Sequence, residues 1–168
     1  MKYLKKIFVL VISVLLIAGC GKDKLPGNDK REEDKEAKKL QIVDESKDTR
    51  SYAVMINNNH QAWPHAGLQE SYLNYEIITE GGITRFLALF RDSIPEKIGS
   101  IRSSRIYFLD YAMENDAIYV HWGGSKEAYS GTNSLKLDHI DGMDYEGKYF
   151  FRDKTLNRAY EHTGFTKG

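Results

Sequence analysis

Among its 168 residues the chain has one cysteine, Cys20. No disulfide can close within it, and no cysteine-based redox pair or zinc cluster is available. Its histidines offer no paired metal spacing of the H-x-x-x-H kind, since His60, His65, His139 and His162 stand apart. There is no metal motif, although Asp or Glu oxygens could hold magnesium through water. A P-loop and a dinucleotide fingerprint are both lacking. Charge of one sign is lacking too: 24 Lys and Arg balance 24 Asp and Glu, for a formal net charge of zero. That removes any global pull toward nucleic acid, so a site for an anion has to be local. The N-terminal apolar run, Ile7 to Ile17, is shorter than the roughly 20 residues of a comfortable membrane span.

That run follows Lys2, Lys5 and Lys6, which is the charge pattern of a secretory leader. Ile17-Ala18-Gly19-Cys20 resembles the bacterial lipobox. The resemblance implies residues 1–19 as a signal peptide, cleavage before Cys20 and diacylglycerol on its thiol. It places the chain on the extracytoplasmic face of the cell membrane, with the membrane as partner through lipidated Cys20. Residues 20–50 follow as a stretch dense in Lys, Asp and Glu, with few apolar residues outside Leu40-Gln41-Ile42-Val43. Such a composition buries too little surface to offset ordering, so it reads as a solvated tether.

Residues 51–168 hold both tryptophans and most of the other aromatic residues, enough for one globular domain with its own core. Tyr52 to Ile56 predicts a strand ended by Asn57-Asn58-Asn59. Two further strand-like runs, Tyr72 to Glu80 and Ile83 to Phe90, flank Gly81-Gly82, which predicts a Gly-Gly hairpin. The imperfect alternation of the second run fits a strand covered on both faces. Lys97 to Ile101 predicts a short strand, and Ile106, Leu109, Ala112 and Met113 recur at helical spacing with Ser103 or Ser104 as N-cap. Ala117 to His121 reads as a core strand, and a second helix starts behind Ser125. The fold class is α/β or α+β: a mixed β-sheet with flanking helices and a βαβ-like crossover, in a single globular domain.

The stretch SIRSSR, Ser100 to Arg105, concentrates the candidate chemistry. Hydroxyls and guanidinium forks at a helix start suit phosphate or carboxylate, which makes Arg102, Ser103, Ser104 and Arg105 candidate ligand-binding residues. The alternative is that a serine caps the helix while the arginines pair with Glu76, Glu80 or Asp110. Arg85, beyond Glu80 and the glycine pair, joins the same pocket or forms a surface ion pair. His121 stands at a strand end before Gly123-Gly124-Ser125. Its spacing to Ser125 is not that of a nucleophile elbow, so catalytic residues stay unassigned.

The blocks YAVMINN, WPHAGLQESYLNYEIITEGGITRFLALF, KIGSIRSSRIYFLDYA and DAIYVHWGGS, taken together, resemble the YerB-type bacterial lipoproteins over about Ser51 to Thr166. The resemblance implies a fold and a cell-envelope address. Members of that family carry a second, C-terminal domain, so the resemblance implies that this chain is a fragment or truncated copy without it. A fainter likeness, through Ser-Ile-Arg and Ile140-Asp141-Gly142, is to the LytR–CpsA–Psr wall-polymer transferases, which hold a polyprenyl pyrophosphate with arginines and use magnesium. The chain departs from these in having no proline after Ile101 and no Arg-Asp pair there.

Three functions follow as expectations. The first is an envelope lipoprotein that binds an anionic ligand, such as a lipid pyrophosphate or lipid-linked glycan phosphate, through Arg85, Arg102, Arg105 and His121. The second is a phosphotransferase or hydrolase acting on a phosphate-linked glycan, with Glu80, Asp110 or His121 handling protons and magnesium as cofactor. The third is a protein-interaction scaffold using the tyrosine-rich surface.

Overall fold

β1 (Tyr52–Asn57) is buried at every position after its first, because it lies in the middle of a sheet covered on both faces. β3 (Thr84–Phe90) pairs with it antiparallel, from Tyr52↔Phe90 to Asn57↔Arg85, and β5 (Ile118–His121) pairs in parallel on its other side. β2 (Leu73–Ile78) extends the sheet beyond β3, and β6 (His139–Asp141) extends it in parallel beyond β5. The order is therefore β2-β3-β1-β5-β6, a mixed sheet. A second sheet, ordered β4-β8-β7, is formed by β4 (Lys97–Gly99), β7 (Phe150–Arg152) and β8 (Gly164–Lys167).

The period-two alternation of strands sorts the apolar residues. Ala53, Met55, Leu87, Leu89 and Tyr119 face one way and pack with Phe108, Leu109 and Ala112. Val54, Ile56, Ala88, Phe90 and Val120 face the other way and pack with Ile98, Trp122 and Phe150. Helices thus cover one face and the smaller sheet the other. This is why the run Leu87 to Phe90 lacks alternation.

The connection between β2 and β3 runs over 79–83 and contains a short 3-10 turn, Glu80–Gly82, instead of a two-residue Gly-Gly turn. Both glycines have positive φ, a conformation glycine reaches without steric cost. The first helix is a 3-10 turn, Ile106–Phe108, continued by α1 (Leu109–Glu114). Neither Ser103 nor Ser104 caps it: Arg105 holds the cap position, with no side-chain bond. α2 (Lys126–Leu135) starts as expected, with the Ser125 hydroxyl accepting from Ala128 N. It completes a β5–α2–β6 crossover between parallel strands. α3 (Gly142–Tyr145) follows β6 directly, capped by Asp141.

The structure, a computed structural model, describes residues 42–168. The leader 1–19, Cys20 and the tether as far as residue 41 lie outside the described residues. Leu40–Gly168 forms one compact unit, and both core clusters are drawn wholly from it, so this part carries its own core. Residues 44–50, read from sequence as tether, have no helix or strand, yet they hold to the domain. Asp44 N donates to Asp92, Arg91 to the Lys47 carbonyl, and Arg50 pairs with Asp138 at 2.6 Å.

Candidate functional site

The stretch 100–105 is extended and wedged where β1 and β5 part company. Asn57 N donates to the Ser100 carbonyl and Arg102 N to the Met55 carbonyl, which ties the stretch to the end of β1. On the other side Trp122 N donates to the Arg102 carbonyl, Ser104 N to the Gly123 carbonyl and Ser125 N to the Ser104 carbonyl. These bonds hold the stretch in place although it lies outside any regular strand. Because it borders the carboxyl ends of parallel strands, it sits where open α/β sheets form their crevices.

This placement takes Ser104 away from the arginines, whereas Ser103 borders a cavity together with Arg102. Ser104 is buried, and its hydroxyl accepts from the buried Tyr119 hydroxyl at 2.8 Å. The Ser103 carbonyl accepts from Arg85 Nη1. Arg85, Arg102 and Arg105, in contrast, all line one cavity of about 380 Å³, together with Asn57, Asn59 and Glu80. Ser125 also borders it.

Within the cavity the charges are uneven. Arg105 makes a two-point fork on Glu80, Nε to Oε1 at 2.5 Å and Nη2 to Oε2 at 3.1 Å. Arg85 Nη2 lies 3.7 Å from the same carboxylate. The bond from Arg105 holds the Glu80 carboxyl down at about 2, so it is ionised at neutral pH. Burial, then the neighbouring Arg105 and Arg102, lowers Arg85 to about 10. Arg102 has no carboxylate within 4 Å among the described residues; its one side-chain bond is a long one, 3.5 Å to the Glu161 carbonyl. Burial lowers its pKa as well, with the Glu161 carboxylate acting in the opposite direction. Two guanidinium groups, Arg85 and Arg105, thus share one carboxylate, and the least satisfied of the three is Arg102.

Arg102 also borders a second cavity of about 420 Å³, walled by Ser103, Gly123, Tyr129, Arg152 and Tyr160. There the Arg152 guanidinium lies between two rings, 4.0 Å from the Trp122 centroid and 4.1 Å from that of Tyr160. Arg102 is the wall between the two spaces.

His121, grouped with the arginines from sequence, lines neither cavity. It is 1% exposed and belongs to a different cluster. Its Nδ1 lies 2.8 Å from the Gly123 carbonyl and its Nε2 3.0 Å from His139 Nδ1, with the rings stacked. A carbonyl can only accept, so Nδ1 carries the hydrogen and Nε2 accepts from His139. Burial lowers the pKa of His121, against the pull of Asp141. Asp141 accepts from Gly123 N at 2.7 Å, Met143 N at 3.0 Å and the Tyr129 hydroxyl at 2.6 Å. Burial pushes this carboxyl up, but the three bonds outweigh it and its pKa is lowered.

Sequence reasoning missed Asn57 and Asn59. Asn57 is 2% exposed; its side-chain oxygen accepts from Asn59 N at 3.1 Å and its amide donates to His162 Nδ1 at 2.7 Å. The signal was available, because three asparagines ending a central strand put polar amides at the strand's carboxyl end.

Residues 39–168 match the family described as protein of unknown function (DUF3048), N-terminal domain. The chain belongs to this family. The curated relative named "Putative lipoprotein YerB", from Bacillus subtilis (strain 168), is 40% identical over 103 residues, 61% of this chain and 31% of the relative. The crystal structure of YerB protein from Bacillus subtilis matches with a TM-score of 0.67 at 36% identity, over 71% of this chain and 40% of the crystallised one. The chain therefore spans well under half the length of the relatives it matches. The likeness supports the YerB-type family and the mixed α/β fold.

Proposed function

We propose that this protein is an envelope lipoprotein, anchored at the outer face of the membrane through lipidated Cys20, whose domain binds an anionic ligand in the arginine cavity. The ligand class is a phosphate or pyrophosphate group, carried by an envelope lipid or a lipid-linked glycan. One observation carries the reading: Arg85 and Arg105 share the Glu80 carboxylate, while Arg102 beside them is half-buried and forms no ion pair among the described residues. A cation withdrawn from water and left unpaired is costly, and an incoming anion removes that cost. The second cavity beyond Arg102 gives room for the group attached to that phosphate.

Binding is favoured over proton-transfer chemistry by the surroundings of the acid–base candidates. Glu80 is locked in its fork, Asp110 borders a different hollow and His121 is buried outside the cavity. The relative's name, lipoprotein, supports the address. A Cys20→Ser chain should move from the membrane fraction to the soluble fraction. For the site, calorimetric titration of Leu40–Gly168 with inorganic pyrophosphate should give a saturable isotherm, weakened about tenfold or more in Arg102→Ala. An absent isotherm, or equal affinity in the variant, would overturn the reading.

A further inference from the structure

The second cavity that Arg102 borders has walls of two kinds. Tyr160 and Met143, 67% and 64% exposed, give it bare apolar faces, and Tyr129 adds another ring. Ser103 and the exposed Glu161 give it oxygen atoms. Gly123, with a φ of 74°, keeps space open between the two kinds. A Cβ there would lie 3.6 Å from the Ser103 hydroxyl and 3.8 Å from Met143 Cγ, so both side chains border ground that a larger residue would occupy.

The other cation of this cavity is already engaged. Arg152 is stacked between the Trp122 and Tyr160 rings, its Nη1 donates to the Tyr160 carbonyl at 2.9 Å, and its Nε lies 3.7 Å from Glu146 Oε1. The wall then offers a hydroxyl and a carboxylate, oxygens that an O–H donor satisfies. A second phosphate would meet the Glu161 charge, and an acyl chain would leave both oxygens without partners. A nucleobase calls for stacking between flat groups, and the slot between Trp122 and Tyr160 is filled by Arg152. A sugar ring answers both kinds of wall, with hydroxyls around its edge and C–H bonds over its faces. We propose that the second cavity is a sugar subsite, and that the ligand is a glycosyl phosphate held across Arg102. Its phosphate lies in the arginine cavity and its sugar ring against Tyr160, Met143, Ser103 and Glu161. Arg102 lines both spaces, so the sugar concerned is the one bonded directly to the phosphate. The inference rests on the anion-binding reading above and commits its ligand to one chemical class.

Calorimetric titration of Leu40–Gly168 with glucose 1-phosphate, N-acetylglucosamine 1-phosphate and ethyl phosphate isolates the share of the sugar. At least one sugar phosphate should bind about tenfold tighter than ethyl phosphate. Tyr160→Ala with Glu161→Gln should remove that gain while affinity for pyrophosphate stays at the wild-type value. Should that pair fail to fold, Met143→Trp, which puts bulk into the cavity from α3, reads the same loss. Pyrophosphate binding with neither sugar phosphate tighter than ethyl phosphate would overturn the subsite and leave the anion cavity standing. A gain that survives these variants would also overturn it. If neither pyrophosphate nor a sugar phosphate binds, both readings fall.

Discussion

Two polar clusters lie at the same end of the central sheet and differ in how fully they are paired. Around Asp141, at the end of β6, each oxygen of the carboxylate has a donor, and His121 is held between Gly123 and His139. Around Arg102, beyond the end of β1, Arg85 and Arg105 divide one carboxylate and Arg102 itself has only a long bond to a carbonyl. Both clusters combine titratable groups with burial, and both looked functional as strings of residue types. A closed network spends its hydrogen bonds on holding the fold, whereas an open one keeps donors for something else.

The contrast can be broken most forcefully at Asp141. Asp141→Ala strands Gly123 N, Met143 N and the Tyr129 hydroxyl together, and should cost about 3 kcal/mol of unfolding free energy in a denaturant titration. A loss within the error of that titration would make this cluster no more structural than the arginines. Ser104→Ala should cost less, about 1–2 kcal/mol, because it leaves the single buried Tyr119 hydroxyl without its acceptor. Equal stability to wild type would return Ser104 to the candidate ligand residues.

The pH dependence sharpens the same comparison. Burial lowers His121, His65 and His162 below the ordinary value of 6.5. A depressed histidine stays neutral in the folded state while the unfolded chain takes up a proton, so its contribution is complete above pH 6.5 and is lost as pH falls toward the folded pKa. Asp141 and Glu80, both lowered, add a further loss below the ordinary carboxylate range. Unfolding free energy measured from pH 7 downward should therefore fall, and His121→Phe should flatten the slope just below pH 6.5. An unchanged slope would mean that His121 is not held neutral by its burial. Smallest of all should be the stability effect of Arg102→Ala, within about 1 kcal/mol, since no ion pair is broken. A loss as large as that of Asp141→Ala would make Arg102 a structural residue.

The sheet was legible because strand patterning is local: Tyr52 to Asn57 and Thr84 to Phe90 announce themselves by apolar and β-branched content. The helix α2 was legible from Ser125 and the residues after it, but its crossover was not: β6 was not expected, and the crossover expected from Lys97–Ile101 to Ala117–His121 does not form because β4 pairs with β8 in the second sheet. The role of Ser104 was not legible either, since its partner Tyr119 is 15 residues away and the bond exists only once β5 lies beside the 100–105 stretch. The helix start misled for a related reason: serine before an apolar periodic run is a capping pattern, but backbone bonds to Gly123 and Met55 keep these residues extended. Arg85, Arg102 and Arg105 were proposed as neighbours from types alone, and register explains their meeting. Arg85 lies opposite Asn57, to whose backbone Ser100 is bonded. His121 was grouped with them by its nearness in sequence to a glycine turn, whereas its ring points into the β6 side.

The most direct test follows arginine and histidine side-chain signals of Leu40–Gly168 by NMR during a pyrophosphate titration. The account predicts saturable shifts at the Nε–H groups of Arg85, Arg102 and Arg105 and at the Asn59 amide, with the His121 ring signals unmoved. Shifts centred on His121, or weak unsaturable shifts spread over all arginines, would contradict it.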